Sequence, residues 1–246
     1  MTQSSDGQIS VDYIDHMGSD LTTVNAARVS FGKKSTLVCK EGDDCCNMPN
    51  CYGKLSDRDT NLINYLAKHK HMSPFGHAFA SFHVKAPIFV ARQLVKHKFL
   101  RWNEISRRYV DDEPEFYLPA VWRGRSEDKK QGSDGVTYTD ALFVQTGYDQ
   151  WEGAEYTNYN EISIGVYKEM LQDGVAPEQA RMVLPQSTMT EWWWSGSLDA
   201  FADMCKLRLK DDTQYETRLV AQMIDKEMAT MFPVSWAALV TGYTDE

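Results

Sequence analysis

The sequence has few of the features of an exported or membrane-embedded protein. No apolar run approaches the roughly 18 residues needed to cross a bilayer, and the opening residues, MTQSSDGQIS, lack the charged-then-apolar pattern of a secretory signal. Cysteine is scarce outside one segment. Four of the five cysteines (Cys39, Cys45, Cys46, Cys51) fall within thirteen residues and only Cys205 lies elsewhere, which argues against a secreted disulfide framework. A soluble, cytoplasmic protein is the expectation. No internal repeat, low-complexity tract or linker marks a domain boundary, and 246 residues with 42% hydrophobic content can bury one large core. A net charge of -9 argues against a dedicated nucleic-acid binder.

The most consequential absence is local: from Thr60 to Asn103 there is no Asp or Glu. Between Lys85 and Arg108 stand seven basic side chains (Lys85, Arg92, Lys96, Lys98, Arg101, Arg107, Arg108) against one carboxylate, Glu104. In an acidic chain such a reversal of sign costs like-charge repulsion unless an anion offsets it. Gln93, His97, Asn103 and Ser106 add directed hydrogen-bonding groups that can read a flat heterocycle or hold a phosphate. A nucleotide is the economical ligand.

The same absence weighs against a metal. Five of six histidines (His69, His71, His77, His83, His97) lie within 29 residues, but no carboxylate stands near them to complete or orient a metal site. No bound metal is the expectation. His69, His77 and His83 read as hydrogen-bonded groups at helix ends and on a strand, leaving His71 and His97 as the pair of interest. The cysteine spacing C-x5-CC-x4-C lacks a C-x2-C knuckle, and two readings stay open there: a zinc site, or reduced thiols filling a loop.

Both hydrophobic periodicities alternate along the chain. Residues 9–17 and 79–84 read as strands, and residues 115–118 as a short one. A helix over 21–31 follows a Ser19 or Asp20 cap, and Ser56 to Asp59 resembles a capping box before an apolar face of Leu62, Ile63, Tyr65 and Leu66. Pro87 suits the first turn of a helix reaching about Lys96, so the basic window should begin on a helix and continue through a loop. Residues 32–55 read as an irregular loop, and 122–136, charged and Gly-rich, as an exposed one. Beyond 136 a long helical tract is expected, broken at Gly174 and restarted at Pro177, followed by helices over 197–209 and 213–231.

At this point the residues carry a resemblance. K-H-K-x7-S, from Lys96 to Ser106 and continuing into Arg107-Arg108-Tyr109, resembles the R-H-R-x7-S signature of the flavin-dependent thymidylate synthases, with lysine at both arginine positions. AARVSF (26–31), KHKHMSPFGH (68–77), FHVKAPIFVARQ (82–93), EFYLP (115–119), ARMVLP (180–185) and LRLKDDTQYE (207–216) are similar to the family in the same order. The likeness spans nearly the whole chain.

The resemblance implies an α+β fold with a mixed sheet and flanking helices. It implies a single domain over 1–246, with the segments at about 32–55 and 122–136 as insertions. It implies a methyltransferase that reductively methylates dUMP to dTMP, with 5,10-methylenetetrahydrofolate as carbon donor, FAD as redox carrier and NADPH as reductant. Homotetramers with shared active sites are implied as well. Arg208 matches the family's active-site arginine and His71 a histidine near flavin and folate. Gln93, Lys96, Glu104, Ser106, Arg107, Arg108, Arg181 and Arg208 match the dUMP site, and Ser73, Lys96, His97, Lys98, Glu104, Ser197 and Asp203 match positions that contact FAD. Departures accompany the match: Lys96 and Lys98 keep charge but lose a bidentate fork, Ser197 and Asp203 stand where the family has asparagine, and Asp212 stands where it has histidine. Two readings from other classes stay open on the residues alone: a nucleotide- or nucleic-acid-binding protein of this fold without catalysis, and a metal-dependent nucleotide hydrolase.

Overall fold

Alternation of buried and exposed side chains builds the central sheet. Strands β1 (Thr2–Gln3), β2 (Ser10–Met17), β3 (Phe79–Pro87), β4 (Leu100–Glu104) and β9 (Met189–Ser197) form a five-stranded sheet in the order β1-β2-β3-β9-β4, every pair antiparallel. The structure, a computed structural model, describes residues 2–4, 7–38, 53–109, 112–120, 122–126, 133–138, 142–145, 151–154 and 156–241. In register across the sheet, Tyr13, Phe82, Trp194 and Trp102 share one face, next to Val11, Val84 and Trp192. Phe82, Val84, Trp192 and Trp194 are buried, and each such side chain removed from water contributes about 1.5–3 kcal/mol. Trp102 stacks on Trp192 with centroids 4.4 Å apart, and Phe201 meets Trp194 and Phe82 edge-on at 5.5 and 5.3 Å. Gly196 lets β9 pass beside β4, since a Cβ there would lie 2.3 Å from the Leu100 side chain.

Helices cover that face. Helix α6 (Leu198–Arg208) leaves the end of β9 and packs against α7 (Tyr215–Met231) and α8 (Pro233–Val240), while α2 (Asp57–Lys68) packs on α8 and α1 (Asp20–Arg28) on both. Buried residues from Ile9 to Leu239 form one hydrophobic cluster. Polar side chains close the helix ends. The backbone N–H of Ser19 donates to Thr22 Oγ1 at 3.0 Å at the start of α1. Asp20 accepts the Val234 and Ser235 N–H groups at 2.9 and 2.8 Å, which ties α1 to the first turn of α8.

Several expectations change. Residues 122–136 are not simply an exposed loop: β5 (Trp122–Arg125) pairs with β6 (Ser133–Tyr138). The helical tract beyond 136 is interrupted by a hairpin of β7 (Leu142–Gln145) and β8 (Trp151–Ala154), and α4 (Tyr156–Gln172) starts only after it. It ends, as expected, where Gly174 adopts φ +82°, and α5 (Pro177–Ala180) follows. Helix α3 (Ile88–Leu94) is shorter than expected, with Pro87 as its cap. The basic window continues as strand β4 rather than as a loop, because its Leu100 and Trp102 pair with β9. The segment 115–118 makes a single bridge, Phe116 to Thr188. Helix α8 was not foreseen; its sequence PVSWAALV has no polar face to announce it. The four clustered cysteines lie outside the described residues.

Asp59 is the polar knot of this half of the fold. It is buried and accepts from Arg28 Nε at 3.0 Å, Ser35 Oγ at 2.9 Å and Ser56 Oγ at 2.8 Å, while its own N–H donates to Ser56 Oγ at 3.2 Å. The expected capping box is therefore half made, with the carboxylate turned to Arg28 instead of the Ser56 N–H. Burial pushes the Asp59 carboxyl up, but the hydrogen bonds from Arg28, Ser56 and Ser35 outweigh it and hold it below its ordinary value. Asp59→Ala strands Arg28 and should cost about 3 kcal/mol in urea denaturation followed by tryptophan fluorescence. A loss below about 1 kcal/mol would show that the knot is peripheral.

Candidate active site

The end of α3 and the end of α6 meet at one guanidinium. Arg208, the last residue of α6, donates from Nε to His97 Nε2 at 2.9 Å and from Nη2 to the Gln93 carbonyl at 3.3 Å. His97 follows α3 in a sharp connection in which Phe99 takes φ +66°, a left-handed conformation that bulky residues seldom adopt. Burial, with the Arg208 cation adding and Asp203 opposing, lowers the His97 pKa to about 4. His97 is therefore neutral near pH 7, accepts at Nε2 and carries its proton on Nδ1. Burial also lowers the Arg208 pKa from its ordinary value.

Arg208 opens into a cavity of about 890 Å³. Gln93, Lys96 and Phe89 form one wall, Tyr117 and Pro119 another, and Gln214 and Glu216 of the α7 start a third. The hairpin strand β5 contributes Trp122 and Arg123. Arg123 donates to the buried Glu216 carboxylate, its Nε bonds Ser133 Oγ at 2.9 Å, and its guanidinium lies 4.6 Å from the Tyr215 ring. Sequence reasoning missed Arg123, which sits in the segment read as an exposed loop, and Gln214 and Glu216, which it quoted only within the LRLKDDTQYE match.

The other expected residues fall into separate groups. Glu104, on β4, accepts from Thr190 Oγ1 at 2.7 Å and Trp102 Nε1 at 3.0 Å. Beyond it, Ser106 Oγ accepts from Arg108 Nε at 3.0 Å, Arg108 lies 4.9 Å from the Tyr109 ring, and Arg107 donates to the Asp112 carbonyl. Arg181 donates to the Glu178 carbonyl at 3.3 Å. Ser197 caps α6 through its extended backbone, without a side-chain hydrogen bond, and Asp203 pairs with Lys206 at 3.3 Å. His71 and Ser73 line a second cavity of about 900 Å³ with Arg58, Tyr65 and His77; among the described residues the two cavities share no lining residue. His69 caps the end of α2 and His83 lies 3.1 Å from Glu191, as the ordinary readings of those histidines require. No three His, Cys, Asp or Glu side chains converge as a metal site among the described residues.

Charge in the basic window remains largely uncompensated. Among the described residues, Arg92, Lys96, Lys98, Arg101, Arg107 and Arg108 make no salt bridge. These cations and the Ser106 hydroxyl fit phosphate and diphosphate groups. Asp203, whose charge would repel a diphosphate, is offset by Lys206. The donor set thus fits a phosphate-bearing nucleotide and a dinucleotide cofactor such as FAD.

Fold and site together define an α+β nucleotide-binding protein. Residues 12–234 match the family model described as Thy1, thymidylate synthase complementing protein. The chain is 36% identical over 228 residues to a flavin-dependent thymidylate synthase of Thermus thermophilus, covering 93% of this chain and 74% of that one. It is 36% identical to another from Thermosipho africanus, covering 85% and 80%. Among solved structures it resembles the UMP/dUMP methylase PolB of Streptomyces cacaoi bound with 5-Br dUMP, with a TM-score of 0.70, 28% identity and 95% of each chain covered. The chain belongs to the flavin-dependent thymidylate synthase family.

Because the unfolded chain protonates His97 near its ordinary pKa of about 6.5 and the folded chain only near 4, the unfolded state binds more protons in that interval. The stability contributed by neutral His97 is complete above the upper value and declines as pH falls toward the lower. Arg208→Ala removes the neighbouring cation, so the His97 pKa should rise toward the ordinary range, read by imidazole nitrogen shifts in NMR. An unmoved titration would show that Arg208 does not govern it.

Proposed function

We infer that this chain is a methyltransferase that converts dUMP to dTMP by the flavin-dependent route. The observation that carries the reading is Arg208, a partly desolvated guanidinium held by His97 and Gln93 in the wall of the cavity of about 890 Å³. Uracil carbon 5 is a weak nucleophile until negative charge on the ring's imide and carbonyl groups is stabilised. A fixed cation in a water-poor site does this without reorganising. Nε and Nη2 are spent on protein acceptors, and Nη1, without a protein partner among the described residues, is left for the base. Neutral His97 aims the guanidinium without competing with it for charge.

The other assignments follow the family match. Arg108 and Ser106 bind the dUMP phosphate, Arg181 and Arg107 add charge, and Gln93, Lys96 and Glu104 position base and sugar; each charge-assisted bond contributes about 1.5–3 kcal/mol. Ser73, Lys96, His97, Lys98, Glu104, Ser197 and Asp203 hold FAD. When bound, FAD supplies the redox chemistry that side chains lack, with NADPH as reductant and methylenetetrahydrofolate as carbon donor. His71 stands beside the flavin and folate. His71 and Ser73 line one cavity and Arg208 and Lys96 the other. This separation supports a homotetramer in which different copies complete each active site, here placed in the cytoplasm. Among the described residues no helix is long and apolar enough to cross a membrane.

The purified chain, given FAD, should retain oxidised-flavin absorbance through gel filtration and oxidise NADPH in a dUMP-dependent manner. Failure of both would return the protein to the nucleotide-binding reading without catalysis.

A cysteine route to the same product meets a physical obstacle. Cys205 is fully buried, donates to the Ala221 carbonyl at 3.7 Å, and burial, with the Asp225 charge adding, pushes its thiol well above the ordinary value. Cys205→Ser should keep most of the dTMP-forming turnover, whereas Arg208→Ala should lower it at least ~100-fold. A dead Cys205→Ser protein that still binds FAD and dUMP would reverse the assignment.

A further inference from the structure

We propose that Glu216 sets the base specificity of the Arg208 cavity by fixing which way the amides of Gln214 and Gln93 face. The inference rests on the dUMP reading above and extends it from substrate class to the means of rejecting the competing pyrimidine.

Glu216 lies in the first turn of α7 and is 3% exposed. One carboxylate oxygen accepts from Arg123 and the other from Gln214 Nε2 at 3.3 Å. A carboxylate paired with a guanidinium offers no hydrogen, so the end of the Gln214 amide facing it has to be the NH2 group. Gln214 therefore turns its Oε1 toward Gln93, and only the NH2 end of Gln93 can face that oxygen. The observed bond runs from Gln93 Nε2 to Gln214 Oε1. The Gln93 Oε1 is left facing the Thr217 hydroxyl, which donates to it at 3.3 Å. Polarity passes from the carboxylate through both amides without a point at which it can reverse.

Gln93, Gln214 and Glu216 all line the cavity that Arg208 enters. After the relay's bonds, Gln93 retains one Nε2 hydrogen and one Oε1 lone pair. A uracil ring presents an acceptor at O4 beside a donor at N3, which complements that pair. Cytosine presents a donor at N4 beside an acceptor at N3, so the same amide would set hydrogen against hydrogen and lone pair against lone pair. A glutamine free to rotate could flip and accept either base. A glutamine held by an acceptor-only carboxylate cannot flip without losing bonds in a partly buried site, which is the condition for strong discrimination by hydrogen bonding.

The test is equilibrium binding of dUMP and of dCMP to the full chain, by calorimetry, in wild type, Gln214→Met and Glu216→Gln. Methionine at 214 breaks the relay at a half-buried position and leaves the Arg123–Glu216 pair intact, so this variant remains informative if loss of the Glu216 carboxylate unfolds the chain. Wild type should prefer dUMP, and either variant should reduce the dCMP-to-dUMP ratio of dissociation constants at least ~10-fold, chiefly by tightening dCMP. A purely structural role for these residues would weaken both nucleotides alike and leave the ratio unchanged, which would overturn the proposal. A wild-type chain that binds neither nucleotide would instead contradict the dUMP reading itself, and the relay with it.

Discussion

A guanidinium that loses water at the end of a helix needs acceptors that carry no competing proton, and the chain supplies the neutral Nε2 of His97 and the carbonyl of Gln93. Much of the site follows from meeting that need. His97 stays unprotonated because it is partly buried against Arg208, and Arg208 stays aimed because His97 is unprotonated. The contact joins α3 to α6 across 111 positions of sequence, and it relies on the tryptophan-rich sheet face that seats both helices. Loss of either partner would leave a polar group half desolvated and unpaired, the costly outcome in a low-dielectric site.

Around that junction the chain concentrates cations and withholds carboxylates. In a protein of net charge -9 the window's cations could readily have found acidic partners. Instead, three carboxylates near the site are already engaged: Glu216 with Arg123, Asp203 with Lys206, and Glu104 with Thr190 and Trp102. On the proposed reading the window cations without a salt bridge are left for phosphate, while Glu216 accepts from the Gln214 amide and Glu104 from the Trp102 indole. Lysine in place of arginine at 96 and 98 keeps the positive field but gives up the planar donor fork, so any anion proposed there would be held more by charge than by bidentate bonds.

The family and the helix that opens the basic window were legible in sequence because their signals are local: K-H-K-x7-S, the acid-free tract and Pro87 lie within a short stretch. The strand β2, the α2 cap at Ser56 and the break at Gly174 were legible for the same reason. The β5–β6 hairpin was not, since its charged, Gly-rich segment carries no alternating apolar pattern and Arg123 finds its partner 93 positions away. Helix α8 escaped because a wholly apolar helix has no amphipathic period. The amide relay could not be read at all, because a glutamine's orientation depends on partners that only the fold assembles.

Release of tritium from dUMP labelled at carbon 5 tests the central claim most directly, because exchange at that carbon requires the activated ring that the proposed role of Arg208 would stabilise. With FAD, NADPH and methylenetetrahydrofolate present, the account predicts release that stops when the flavin is omitted. Release that persists without flavin, or none with every component saturating, would contradict it.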